Sequence, residues 1–189
     1  MSKGKTPALG RYFFDTEFNE VIPERFGVDF ISVGVVAEDG REYYGVHREF
    51  NKQAAADNSW VSNHVVPKLP PEDTWVDLDT IRQGIVDLIQ PAHQVEFWAK
   101  NNSYDTFILC RLFGGMNGLR DALYKAKGIE KVIFRDSNDL RRNLNWPALP
   151  EQAEDTKHDA LADARQEKVE FEVMTGKGRS FWRDWRPGF

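Results

Sequence analysis

Two carboxylates lie one residue apart near the start of the chain. Asp15 and Glu17 end an aromatic run that begins at Arg11 and continues through Phe14. Because side chains alternate between the two faces of a strand, Asp15 and Glu17 project from the same face. Repulsion between such close acids is relieved by a raised pKa or by a bound cation such as Mg²⁺, which prefers oxygen ligands. Solvated acids on an edge strand are the alternative that this stretch leaves open.

A third acid, Asp105, follows a predicted strand at the point where a helix begins. It comes directly after the polar segment Asn101-Asn102-Ser103-Tyr104. Polar groups at the carboxyl ends of strands commonly line the functional site of open α/β sheets. The alternative is an acid that serves only the amino end of its helix, where the dipole favours negative charge.

A histidine and a further aspartate lie five residues apart, at His158 and Asp163. A capped helix start, with Asp155 or Thr156 as the cap, accounts for the first part of this segment, and Asp159 is expected to be a capping acid. Asp163 lies beyond the first turn, among alanines that let a substrate approach closely. Since imidazole changes its charge near neutral pH, His158 is a candidate proton acceptor. As a single residue, a histidine is more often structural.

The pattern of elements predicts an α/β domain with a mixed sheet. Strands are predicted at 11–18, 29–36, 42–47, 95–99 and 131–134. Asp39-Gly40 between the second and third of these is a hairpin signal, so the first three strands form an antiparallel meander. Helices are predicted at 51–58, 59–66 with Ser59 as the N-cap, 78–89, 105–113, 118–127, 136–144 and 158–174. No domain boundary interrupts residues 1–189, with a core at about 11–174 and a tail at 176–189.

Composition restricts the possible partners. The 189 residues carry a formal net charge of -5, so no global basic field attracts nucleic acid, and a polyanion must be held by local basic groups or by metal ions. Residues 1–10 have no apolar signal region, and no apolar run is long enough to span a bilayer. We therefore expect no membrane partner and a cytoplasmic protein, with the single Cys110 as a small core residue.

Together, Asp15-Thr16-Glu17, Asp105, His158 and Asp163 resemble the DEDD superfamily of 3'-to-5' exonucleases, in its histidine subclass. The sister subclass has a tyrosine four residues before the last aspartate, where this chain has Asp159. The resemblance covers about residues 12–170 and implies an RNase H-like fold, in which three antiparallel strands are followed by parallel strands and helices flank the sheet. The chain is most similar to the mycobacterial-type 3'-to-5' exoribonucleases, through the segments 12–18, 31–44, 64–70 and 158–165.

The resemblance implies hydrolysis of single-stranded RNA from its 3' end to nucleoside 5'-monophosphates. Asp15, Glu17, Asp105 and Asp163 would hold two Mg²⁺ or Mn²⁺ ions about 3.5–4 Å apart, one activating a water and the other stabilising the leaving oxygen. His158 would take the proton of that water. Relatives of this type are often dimers, so a homodimer is also implied.

Two positions depart from the patterns of relatives. Phe18-Asn19-Glu20 stands where the proofreading branch usually has Thr-Thr-Gly, which argues against proofreading and leaves the sugar of the substrate open. Lys100 replaces the usual histidine, whereas Asn101 keeps the asparagine found four residues before the aspartate in many relatives.

Four residues are candidates for contacting the substrate: Phe18, Asn101, Trp60 and His64. Phe18 could stack on the terminal base, because stacking tolerates any base, or belong to the core. We expect Trp60 chiefly to pack against other side chains. The basic and aromatic segment from Arg179 to Arg186 suits either single-stranded nucleic acid or packing on the body or on a second subunit.

Two other functions remain open at this stage. A DNA exonuclease of the same fold is possible, since no residue identifies a contact to a 2'-hydroxyl. The second open function is a non-catalytic module that binds nucleic acid or metal. A missing catalytic residue would support it, but the four acids and the histidine of the exonuclease pattern are all present.

Overall fold

A five-stranded mixed sheet forms the centre of the molecule in the computed structural model, which describes residues 9–20 and 27–176. Its strands are β1 Leu9–Glu20, β2 Val28–Ala37, β3 Glu42–Val46, β4 Gln94–Ala99 and β5 Lys131–Asp136. The strand order is β3-β2-β1-β4-β5. The β1–β2 and β2–β3 pairs are antiparallel, and the β1–β4 and β4–β5 pairs are parallel.

The predicted antiparallel meander and mixed sheet are confirmed, but β1 is the middle strand of five. The interpretation of Asp15 and Glu17 as solvated acids on an edge strand is therefore wrong. The predicted Arg- and Trp-rich segment at 179–186 lies outside the described residues.

Seven helices are found in the described ranges: α1 Lys52–Asp57, α2 Ser59–His64, α3 Leu78–Leu88, α4 Ser103–Leu112, α5 Met116–Lys127, α6 Ser137–Asn143 and α7 Ala160–Thr175. Short 3₁₀ turns occur at Val66–Lys68, Glu72–Thr74 and Glu154–Thr156. No helix among residues 9–20 and 27–176 combines the length and the apolar character needed to cross a membrane.

Several predicted helix starts or caps are wrong by one or two residues, and α4 and α5 each begin two residues earlier than predicted. Asn58, rather than Ser59, is the N-cap of α2, because its Oδ1 accepts hydrogen bonds from the backbone N–H groups of Trp60 and Val61. Helix α7 begins at Ala160 with Asp159 as its N-cap, and not at His158 with a cap at 155 or 156. The prediction that Asp159 is a capping acid is confirmed.

Two hydrophobic clusters fix the helices around the sheet. One face of the sheet packs Phe14, Val33 and Phe97 against α3, α4 and α5, and the predicted core residue Cys110 is buried there. A smaller cluster, which includes Val61 and Trp75, supports α1 and α2. On the opposite face lies α7, where the Phe171 ring is 5.1 Å from the ring of Phe13. Since Phe13 and Asp15 share a face of β1, α7 covers the face that carries the two acids.

Gly34 allows α7 to lie close to the sheet. It pairs with Asp15 across β1 and β2, and a methyl group added there would lie 2.3 Å from the carbonyl oxygen of Ala160 and 2.4 Å from the Cα of Leu161. Both are backbone atoms, so the first turn of α7 would have to move.

Replacing Gly34 by alanine should lower the melting temperature by roughly 5 °C, because overpacking costs about 1–3 kcal/mol. Thermal unfolding followed by circular dichroism measures this shift. Gly10→Ala is the matched control, because its added methyl would meet only side-chain atoms, with Tyr12 Cε2 at 3.2 Å and Val95 Cγ1 at 3.7 Å. Equal melting temperatures for Gly34→Ala and the parent protein would contradict close packing of α7.

Candidate active site

Asp105 occupies a place that a neighbouring strand would otherwise fill. The pairing of β1 with β4 ends at Phe13 and Trp98, whereas β1 continues along β2 as far as Glu20. On the open side, Asp105 Oδ1 accepts hydrogen bonds from the backbone N–H of Thr16 at 2.9 Å and from its hydroxyl at 2.6 Å. Asp105 therefore binds the central strand, and the interpretation that it serves only its own helix is wrong.

Helix α7 and the loop before it bring Asp163 and His158 to the same place. One potential ligand atom from each of Glu17, His158 and Asp163 lies within 4.8 Å of the others. Asp163 Oδ2 accepts a hydrogen bond of 3.0 Å from the backbone N–H of His158, and Gln152 donates to Asp163 Oδ1. His158 has a φ of 63°, an uncommon left-handed conformation for a residue with a side chain. The loop is thus held in an unusual conformation that sets the imidazole beside two carboxylates.

The pKa values of all four predicted metal-binding acids are raised, with burial as the main cause. Loss of hydration raises the pKa of Asp15 well above its usual range, and the charges of Asp105, Glu17 and Asp163 raise it further. Burial, followed by the charge of Asp163, raises the pKa of Glu17 from 4.5 to about 8. Burial likewise raises the pKa values of Asp105 and Asp163.

No lysine or arginine in the described part of the chain neutralises this charge. None of the four acids forms an ion pair with a lysine or arginine within the described ranges, and Asp105 uses only one of its two oxygens in hydrogen bonds there. Carboxylate oxygens with unfilled lone pairs and unrelieved repulsion are the donor set that hard divalent ions such as Mg²⁺ and Mn²⁺ prefer. The site residues therefore fit such an ion.

A cavity of about 290 Å³ opens beside two of the four acids, Asp15 and Asp163. Asp15, Asp163 and His158 line it, together with Lys100 and the exposed Asn101. Asn101 Oδ1 accepts a hydrogen bond of 2.7 Å from Asn138 Nδ2, which fixes the side chain at the cavity wall. The cavity is thus lined by anionic and cationic groups.

Two of the candidate substrate residues, Trp60 and His64, contact the imidazole of His158. The Trp60 ring centroid is 4.8 Å from that of His158 in an edge-on arrangement, and His64 stacks on Trp60 at 5.2 Å. Trp60 packs against both imidazole rings, which agrees with its expected packing role, and it is also 48% exposed. The pair forms an open aromatic surface beside His158.

The fourth candidate, Phe18, lies at the other side of the acids. A register shift between Glu17 and Phe18 interrupts the alternation of β1, and Phe18 stacks on Tyr104 with ring centroids 5.0 Å apart. Tyr104 is 47% exposed, so the two rings offer an accessible apolar surface next to Asp105.

Sequence reasoning missed three residues of the site. Glu167 was detectable, because it lies four residues after Asp163 on the same face of a helix. Tyr104 adjoins Asp105 and is aromatic, which is a weaker signal. Gln152 lies between the helices predicted at 136–144 and 158–174, and no local pattern indicates that it reaches Asp163.

The fold and site define a mixed α/β protein with a carboxylate and histidine cluster on its central strand. No protein-family model matches the chain. Two curated 3'-5' exoribonucleases of Mycobacterium tuberculosis, from strain CDC 1551 / Oshkosh and strain ATCC 25618 / H37Rv, are each 38% identical to it over 169 residues. The alignment covers 87% of this chain and 93% of each relative. The chain belongs to the family of these mycobacterial 3'-5' exoribonucleases.

Proposed function

We propose that this protein is a metal-dependent 3'-to-5' exoribonuclease that shortens single-stranded RNA and releases nucleoside 5'-monophosphates. The observation that carries the proposal is the convergence of Glu17, Asp163 and His158 within 4.8 Å, beside Asp15, in a chain of this family. The order of the strands and the position of His158, five residues before Asp163, support an RNase H-like fold and the histidine subclass of DEDD exonucleases.

Asp15, Glu17, Asp105 and Asp163 would hold two Mg²⁺ or Mn²⁺ ions. When bound, such ions supply Lewis acidity that activates water and stabilises the leaving oxygen of a phosphodiester. The fixed position of Asp105 on Thr16 and the hydrogen bond from His158 N–H to Asp163 preorganise the acids. The positive charge of the two metal ions would also let an acidic protein hold a phosphate backbone.

His158 would accept the proton of the attacking water. Its ring lies beside the Glu17 and Asp163 carboxylates, and the edge contact with Trp60 restricts its orientation. A positioned general base of this kind contributes about 10²–10⁴-fold to a rate. The role of Trp60 and His64 is then to hold the base and to face the substrate.

The stacked rings of Phe18 and Tyr104 would support bases near the 3' end, since base stacking needs no particular sequence. Lys100 and Asn101 line the same cavity as the acids and would face the phosphates or sugars. The homodimer implied by the resemblance stays a prediction.

Single-stranded RNA and DNA of equal length, each labelled at the 5' end, distinguish the possible activities. With Mg²⁺, the protein should produce a ladder of shortened RNA, and EDTA or Asp163→Ala should stop it. Asp121→Ala, at an exposed position on α5, is the control that should keep the activity. Unchanged RNA and DNA in every lane would contradict an exonuclease, and preferential loss of DNA would contradict the RNA assignment.

A further inference from the structure

Glu167 is a buried acid beside the site that the function proposed above does not use. It lies one helical turn after Asp163 on α7, so both side chains face the sheet. Glu167 is only 5% exposed, yet it lines the same cavity as Asp15 and Asp163.

The carboxylate of Glu167 is only partly satisfied by the residues that the structure describes. Its Oε1 is buried without a hydrogen bond, and no lysine or arginine in residues 9–20 and 27–176 forms an ion pair with it. Of the two lysines that line the cavity, Lys100 pairs with Glu170 at 3.4 Å and Lys157 pairs with Glu154. An unpaired buried carboxylate is costly, so this position needs a reason beyond packing.

The shared cavity indicates which partner is missing. Glu167 and Asp15 line the same cavity, and the negative charge of Glu167 makes a smaller contribution to the raised pKa of Asp15. Burial raises the pKa of Glu167 itself to about 7, and the nearby Ser137 hydroxyl opposes this only in part. A cation placed between Asp15 and Glu167 would relieve both acids at once.

We propose that Glu167 is an additional member of the divalent-cation site and increases its affinity for the ion held by Asp15. The inference rests on the proposed metal-dependent function. Because the close group of ligand atoms comprises Glu17, His158 and Asp163, Glu167 acts from outside it, by accepting a hydrogen bond from the hydration shell of the cation. Outer partners of this kind commonly change metal affinity by about 10–100-fold.

A titration with Mn²⁺ in the absence of RNA tests this role. The melting temperature is measured against Mn²⁺ concentration for the parent protein, Glu167→Gln and Glu172→Gln. We expect Glu167→Gln to need about 10-fold more Mn²⁺ for the half-maximal rise in melting temperature. Glu172→Gln makes the same charge change on α7 outside the cavity, where Glu172 pairs with Lys168, and should match the parent. Glu167→Asp keeps the charge but shortens the side chain, so its Mn²⁺ midpoint should lie between those of the parent and Glu167→Gln. This variant replaces Glu167→Gln in the test if the glutamine variant does not fold.

The possible failures are separable. If the parent protein shows no response to Mn²⁺, the proposed metal site fails and this inference fails with it. If the parent responds but Glu167→Gln has the same midpoint, only the role of Glu167 is overturned. An equal loss in Glu172→Gln would also overturn it, since the effect would then reflect net charge alone.

Discussion

Glu17→Gln should abolish RNA shortening and, at the same time, raise the melting temperature of the metal-free protein at pH 8. The expected loss of activity is at least about 1,000-fold, the scale on which removal of an essential catalytic group acts. The gain in stability follows from removing a buried charge. Glu17 is 7% exposed and accepts no hydrogen bond from the described residues, so the isosteric amide gives up no such contact.

The sign of the pH effect follows from the raised pKa. The pKa of Glu17 rises from 4.5 to about 8 because of burial and the charge of Asp163. The stabilising contribution of the protonated Glu17 carboxyl group is therefore fully present below about pH 4.5. It is lost as the pH rises through 8, because the buried group then becomes charged. A shift of this size corresponds to several kcal/mol, and the glutamine variant avoids that loss. We expect its melting temperature to exceed that of the parent by roughly 5 °C or more at pH 8, and by little at pH 4.5.

Thermal unfolding in EDTA at several pH values measures the difference, and addition of Mg²⁺ completes the experiment. The parent should gain stability with Mg²⁺ most strongly at pH 8, whereas Glu17→Gln should gain much less. Glu49→Gln, an exposed position, is the control and should behave like the parent in both conditions. A metal-free Glu17→Gln protein that melts below the parent at pH 8 would contradict the repulsion among the acids.

His158→Ala should reduce the rate of RNA shortening by about 10²–10⁴-fold, the range for a positioned general base. The structure offers two roles for this imidazole, since its ring nitrogen lies with Glu17 and Asp163 in one possible ligand group. As a base, it can be removed with little effect on metal affinity. If it is a metal ligand, its removal lowers the affinity for the metal.

Two measurements on His158→Ala separate these roles. A lost rate with a parent-like Mn²⁺ midpoint in thermal unfolding supports the base. A lost rate with a midpoint raised about tenfold would reassign His158 to metal binding. His93→Ala is a suitable control, because the His93 side chain is exposed and its one contact among the described residues is with Glu130, at 3.8 Å. Near-normal activity of His158→Ala would remove the residue from both roles.

Local regularities in the sequence explain the correct predictions. Alternation along β1 places Phe13 and Asp15 on one face, and Asp39-Gly40 marks the turn between β2 and β3. Element types follow from such short-range patterns. Boundaries do not: Asn58 and Ser59 are both good caps, and the choice between them depends on backbone angles that sequence does not show.

By itself, the sequence determined which side chains are available for metal chemistry. It also showed that Asp15 and Glu17 share one face of a strand, and that a helix bearing further acids starts near Asp159. Only the tertiary structure decided that β1 lies centrally, that Asp105 binds Thr16, and that Trp60 is exposed against His158. The physical reason is the separation in sequence over which each kind of interaction acts. Periodicity and capping act over a few residues, whereas strand order and the meeting of residues about 90 positions apart depend on how the whole core packs.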